Sequence, residues 1–182
     1  MSRAMRAALI TTARLILEPL SVSHAAEMVR VRSGTVVYRY TGGAAPTEEE
    51  LTGRYAVQAV GVSPDGREAW LNWIIRENGA AVGFVQASVA LHVPGQGQEP
   101  TAYVAWVVGE SFQGRGLATE AASGLLGWLR PRLDGPIAAF IHPDNHASAA
   151  VARKIGLVAS GQLNGDGEER WDNGIDLVAD GI

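Results

Sequence analysis

Cysteine is absent from the 182 residues, which excludes disulfides, thiolate metal sites and cysteine nucleophiles. A long apolar run is missing as well. No stretch has enough consecutive apolar residues to cross a bilayer, so no membrane partner is expected. The short Ala7–Ile10 run after Arg3 and Arg6 is interrupted by Thr11, Thr12 and Arg14 before it could form a secretory h-region. A cytoplasmic location is the expectation by default. Nor is there a basic excess: 15 Lys plus Arg stand against 19 Asp plus Glu, a formal net charge of -4. Neutralising many phosphates needs a basic surface, so a general nucleic-acid partner is not expected. Arg14, Arg30, Arg32, Arg39 and Arg54 nevertheless all fall in the first third, leaving room for a local basic patch. His24, His92, His142 and His146 form no metal-ligand spacing, and no metal is expected.

What the chain does have is apolar residues, 47% of the total, in patterns that specify elements. One domain spanning 1–182 is expected, with 1–10 a flexible start. Leu15, Leu17 and Leu20 alternate with polar partners over 12–20, which suits a half-buried strand. Ser21 and Ser23 offer caps for a helix to about Arg32, and 34–46 is turn-rich and irregular. Thr47 with Glu50 forms a capping box opening a helix towards Val60. Strands over 68–76 and 80–91 flank Asn78-Gly79, a strong hairpin signal. A loop over 94–100 leads to 101–108, whose unbroken apolar run predicts a central strand buried on both faces.

Beyond that strand the period changes. Leu117, Ala121, Leu125 and Leu129 share one helical row until Pro131. A short strand over 136–141 precedes a second helix from His146, with Ala147, Val151 and Ile155 on one row and Gly156 beyond its end. Strands over 157–163 and 169–175 close the chain. The order is β-α-α-β-β-β-α-β-α-β-β, an α/β (α+β) protein with a mixed sheet flanked by helices. Edge strands at the C-terminal end would suit a homodimer.

Gln113-Gly114-Arg115-Gly116-Leu117-Ala118 lies between the central strand and the amphipathic helix. The first turn of a helix has main-chain amides without intrahelical partners. Small residues let a ligand approach them closely, and the helix dipole favours an anion. Arg115 could supply a cation. The alternative is an ordinary glycine-rich turn, since a six-residue pattern arises readily by chance.

Gln113-x-x-Gly116-x-Ala118 resembles the acyl-CoA signature of the GNAT acetyltransferases, [RQ]-x-x-G-x-[GA]. Downstream, Asn145-x-x-Ser148 and Lys154-x-Gly156-Leu157 resemble the family's second motif. The opening Arg14-Leu15-x-Leu17-x-Pro19-Leu20 is similar to the branch containing ribosomal-protein N-terminal and small-molecule acetyltransferases. The resemblance implies a mainly antiparallel GNAT sheet, acetyl-CoA as co-substrate, and transfer of the acyl group to a primary amine by direct attack. It implies that the backbone of Trp106, Val107, Val108 and Gly109 pairs with pantetheine. It implies a diphosphate held by Gln113, Gly114, Arg115, Gly116, Leu117, Ala118 and Thr119. Asn145 would bond the pantetheine arm, and Ser148 would be the general acid.

Two departures from the family pattern stand out: Tyr103 where many members carry Glu, and Ala152 where many carry Tyr. Candidates for the base are Tyr103, His142 and the pair Glu168/Glu169. Ser148 could instead cap its helix, and Glu120 is accounted for by the helix dipole. An acyl-CoA-binding regulator without turnover is the second reading. A dinucleotide-dependent oxidoreductase fits poorly, because G-x-G-x-x-G is missing. The acceptor expected on the resemblance is a small-molecule or peptide N-terminal amine. The acidic bias points towards cationic amines, on a net charge too small to decide.

Overall fold

The computed structural model describes residues 5–34, 38–91 and 101–173. Eight strands form one sheet in the order β1-β2-β3-β4-β5-β6-β8-β7, antiparallel throughout except where β5 meets β6. They are β1 (Ile10–Thr11), β2 (Leu15–Pro19), β3 (Glu68–Glu77), β4 (Ala80–Ala90), β5 (Ala102–Val108), β6 (Ile137–Ile141), β7 (Val158–Leu163) and β8 (Glu169–Asp172). The helices are α1 (Ala25–Val31), α2 (Tyr38–Thr41), α3 (Glu48–Gln58), α4 (Leu117–Leu129) and α5 (His146–Lys154).

Local chemistry sets several boundaries as the sequence predicts. Thr47 accepts the Glu50 N–H at 3.2 Å while the Glu50 carboxylate accepts the Thr47 N–H at 2.8 Å, so α3 begins on a reciprocal cap. Between β3 and β4 the chain turns on Asn78 and Gly79, both at positive φ, with Glu77 opposite Ala80. Two successive positive φ values are what a tight hairpin requires. Gly156, at φ 87°, follows the end of α5.

The main core lies between one sheet face and helices α4 and α5, with Leu117, Ala121, Leu125 and Leu129 of α4 all buried. A second cluster sits on the opposite face, where Met28, Leu51 and Tyr55 pack α1 and α3 against Ile74 and Ala81. The two layers leave β5 covered unequally.

Four expectations need correction. The β5 strand is not buried on both faces: Ala102, Val104, Trp106 and Val108 are buried, whereas Tyr103 is 37% exposed and Ala105 and Val107 are half-buried. Its second face is apolar because Ala105 and Val107 wall a cavity, not because a layer covers them. On α5 the buried residues are Ala149, Ala152 and the following Ile155, while Ala147 is exposed. Ala147 and Val151 instead face the same cavity.

The start of the chain is anchored from Met5 onward. Met5 and Ala7 pack on the core, Ala8 accepts a hydrogen bond from the Trp73 indole at 2.8 Å, and Ile10 joins β1. Within 34–46, Tyr38–Thr41 forms a helical turn. The loop expected over 94–100 and the last residues of the closing strand, 174–175, lie outside the described residues.

Candidate active site

After β5 the chain makes a short 3-10 turn and reaches α4 through Gln113–Gly116. Gly114 and Gly116 stand at φ 75° and 77°, in the left-handed region that residues with a Cβ rarely adopt. Gly116 is the N-cap of α4 and supplies no side-chain cap. The N–H groups of Leu117, Ala118 and Thr119 therefore open the helix without intrahelical partners. A Cβ on Gly114 would meet nothing within 4 Å, and one on Gly116 would sit 3.6 Å from the Arg14 guanidinium. Backbone conformation, rather than lack of room, demands glycine at both positions.

The cations around this turn are already committed. Arg115 points away to Glu77, with Nη2 2.8 Å from Oε1. Arg14, which sequence reasoning did not place here, lies 2.6 Å from the Glu120 carboxylate and donates from Nη1 to the Arg115 carbonyl at 3.1 Å. Glu120 also accepts from the Thr12 hydroxyl at 2.6 Å and the Arg14 N–H at 2.7 Å. Burial works against its charge, but these donors outweigh burial and hold its carboxyl below the usual range. Glu120 thus ties the entry to β2 onto the first turn of α4, beyond the dipole role expected of it.

The parallel pair β5–β6 is short. Only Ala102 with Ile137 and Tyr103 with Ala138 are in register, and the strands then part. A β-bulge between β3 and β4, at Ile75/Arg76, sharpens the local twist. Gly83 follows this bulge, where a Cβ would overlap the Val107 carbonyl oxygen.

Backbone directions follow from two hydrogen bonds. Ala102 donates to Pro136 on the β6 side at 2.9 Å, and Gly109 donates to Val82 on the β4 side at 2.9 Å. Main-chain groups alternate along a strand, so even-numbered residues of β5 point towards β6. Where β6 has moved away, the main chain of Trp106 faces the gap. The Val108 carbonyl is met by the Gln113 side-chain amide at 3.1 Å.

The gap is part of a cavity of about 600 Å³ between β5, β6 and the starts of α4 and α5. Of the residues singled out from sequence, Trp106, Val107, Val108, Gln113, Gly114, Gly116, Leu117, Ala118, Thr119, His142, Asn145 and Ser148 line it. Trp106 is 9% exposed, and its buried indole N–H has no partner among the described residues. Gly109 and Arg115 are outside the lining. The Gly109 N–H is spent on β4, and a Cβ there would come within 2.9 Å of the Val31 carbonyl oxygen, so close packing against α1 explains this glycine. Tyr103 is outside too. It stacks on Phe140 at 5.5 Å with Arg170 Nη1 3.5 Å from its hydroxyl.

At the other wall Asn145 is the N-cap of α5 and accepts the Ser148 N–H at 3.1 Å. Ser148 is therefore the third residue of its helix and not its cap, which leaves the hydroxyl free of that duty. His142 accepts the Asp144 N–H at Nδ1, 3.2 Å, so the neutral ring keeps its proton on Nε2. Its ring leans on Tyr40, centroids 5.5 Å apart. Tyr40 and Lys154 also line the cavity and were not anticipated as site residues. Glu168 reaches the lining while accepting from the Asn164 amide at 3.0 Å, and Glu169 pairs within the sheet. Among the described residues no group of three His, Cys, Asp or Glu could hold a metal.

The arrangement combines an extended apolar wall, outward main-chain amides, and a hydroxyl and an imidazole at one end. Such a cleft can hold an elongated ligand with an anionic segment at the helix start.

Comparison with known proteins agrees. The family model described as an acetyltransferase (GNAT) domain matches residues 14–158. Similar solved structures include an acetyltransferase of the GNAT family from Bacillus anthracis, 19% identical, TM-score 0.67, covering 91% of this chain and 96% of that one. RimL, a ribosomal L7/L12 alpha-N-protein acetyltransferase solved with coenzyme A, is 18% identical with TM-score 0.72 over 91% and 97%. The aminoglycoside acetyltransferase AAC(6')-Ib with coenzyme A is 20% identical with TM-score 0.70 over 87% and 92%. No curated protein sequence matches. With the family model spanning most of the chain, and the parted strands and uncapped helix start in place, this protein belongs to the GNAT acetyltransferases.

Proposed function

We propose that this chain transfers the acetyl group of acetyl-CoA to a primary amine within the cleft between β5 and β6, acting as one domain in the cytoplasm. The observation that carries the reading is the uncapped start of α4 beside parted strands. Main-chain donors there face a cavity that an extended cofactor can fill.

Amides of Leu117, Ala118 and Thr119 hold the diphosphate, with Gly114 and Gly116 setting their direction. The main chain of Trp106 meets the pantetheine arm as a strand would, and its indole N–H is the buried donor that such a ligand satisfies. Asn145 offers the same arm its amide nitrogen, since its oxygen is engaged by Ser148. Acetyl-CoA supplies an electrophilic acyl carbon and a thiolate leaving group, so no enzyme nucleophile is required.

What the protein adds is position and proton movement. Ser148, at the start of α5, donates a proton towards the leaving sulfur. His142 takes the amine proton at Nδ1, giving up the Asp144 N–H; the Asp144 carboxylate, 3.9 Å away, then stabilises the charged ring. Tyr103 and Glu169 are set aside as bases because neither lines the cavity.

The acceptor is a small-molecule amine or a peptide N-terminus. RimL and AAC(6')-Ib, by their names, stand for one of each. The exposed edge strand β7 would serve a homodimer.

Calorimetric titration with CoA and acetyl-CoA, followed by thiol release across an amine panel, tests the reading. Micromolar binding with thiol release is expected. Binding without release from any amine would instead indicate an acyl-CoA-responsive regulator.

A further inference from the structure

A second, smaller cavity of about 90 Å³ lies on the face of the sheet that α1 and α3 cover. Its polar lining is one-sided. Arg32 and Arg54 contribute cations, Tyr55 a phenol, and Gln58, Asn72 and Gln86 amides; among the described residues no carboxylate lines it. Arg32 Nε is buried with no hydrogen-bond partner among the described residues. Its guanidinium carbon lies over the Phe84 ring, 5.0 Å from the centroid. Among the described residues Arg32 and Arg54 form no ion pair, unlike Arg14, Arg67, Arg76, Arg115 and Arg170; Arg30, Arg39, Arg130, Arg132 and Arg153 form none either, but they do not line this cavity. A buried guanidinium N–H without an acceptor is costly unless a ligand or solvent supplies one.

The cavity is also next to the cleft. Phe84 and Gln86 of its wall lie directly across from Val107 and Ala105, which line the cleft, one strand spacing of about 4.8 Å away. Side chains of Gln86 and Ala105 leave the same face of the sheet, and Asn72 stands opposite Gln86 on β3. A group seated among these residues is therefore one strand away from the wall of the cleft.

We infer that the acceptor carries a carboxylate as well as its amine, and that the cavity between α1, α3 and the β3–β4 face holds that carboxylate. This rests on the reading of the cleft as the transfer site and names the acceptor class for it. The planar guanidinium fork of Arg32 matches a carboxylate in two parallel hydrogen bonds. Tyr55 is held protonated by burial, against the pull of Arg32 and Arg54, so it donates to an anion rather than repelling it. The volume is that of about three water molecules, enough for one such group and little more. A net charge of -4 over the whole chain points towards a cationic acceptor; the local field in this corner points the other way.

The test pairs amines that differ only in the carboxylate: β-alanine with ethylamine, 4-aminobutyrate with propylamine, lysine with cadaverine. The carboxylated member of at least one pair is expected to show kcat/KM at least tenfold higher. Arg32→Gln should raise KM for that member about tenfold with kcat changed less than twofold, and leave its partner amine unaffected. Arg54→Gln, on an exposed helix position that folding tolerates, should act in the same sense. Equal turnover within every pair, or an Arg32→Gln effect equal on both members, would overturn the carboxylate subsite while leaving the transfer reaction standing.

Calorimetric titration of the same amino carboxylates onto CoA-saturated protein gives an answer without turnover. Binding by wild type that Arg32→Gln weakens supports the subsite, and no heat with any of them rejects it. Loss of CoA binding itself would be a failure of the transfer site, seen separately in the cofactor titration.

Discussion

Two corners of this molecule are suited to anions by opposite means. At the start of α4 the nearby guanidiniums are engaged, Arg14 by Glu120 and Arg115 by Glu77, and the unengaged donors are main-chain amides. Under α1 and α3 the donors on offer are side chains, Arg32 Nε foremost. An arginine within a glycine turn can thus be turned away from the helix start it precedes. Arg115 stands in the middle of the signature yet braces the turn against β3. On the proposed reading, backbone of hard-to-vary geometry would meet the cofactor common to the family, and freely varying side chains would meet the acceptor.

The largest expected effect breaks the backbone corner. Gly116→Val should lower CoA affinity at least a hundredfold by calorimetry, because a β-branched residue at φ 77° forces the amides of α4 to turn. Gly114→Ala is strained for the same reason although open space surrounds it; an affinity unchanged in a folded Gly114→Ala protein would show that the left-handed turn is dispensable. Next, Ser148→Ala should reduce kcat about a hundredfold with CoA affinity kept, as for loss of a general acid. Equal kcat with a lower Tm would assign Ser148 to helix stability alone.

A smaller effect is expected on the brace. Glu120→Ala should cost about 2 kcal/mol in denaturant unfolding, the worth of a carboxylate with several donors. The Glu120 carboxyl titrates lower in the folded chain than in the unfolded one, so its contribution is present above the usual carboxylate pKa of about 4.3 and fades as pH falls through the folded value. The Tm gap between wild type and Glu120→Gln should therefore narrow on acidification. The smallest change is expected at the cation beside the turn. Arg115→Gln should change CoA affinity less than about threefold, since its charge is already committed to Glu77; a tenfold loss would make Arg115 a phosphate ligand after all.

Much of the frame was legible because its causes are local. Thr47 and Glu50 cap each other three residues apart, Asn78-Gly79 can hardly be anything but a tight turn, and the Gln113–Ala118 run announces a helix start that lacks a cap. Reading failed where the cause is a distant partner. Ala105 and Val107 look like core and are cavity wall; Ala147 looks like helix core and faces the cleft, because only the parting of β5 from β6 creates that cleft. Thr12, Arg14 and Glu120 meet across more than a hundred residues, a pairing no spacing rule foresees.

Sequence alone determined the family, the helix starts, the hairpin and the glycine turn, since capping, φ preference and hydrophobic period act over a few residues. Tertiary structure alone decided which arginines are spent and which are left with donors to offer. Charge is counted along a chain, but its availability depends on what folding brings within about 4 Å of it.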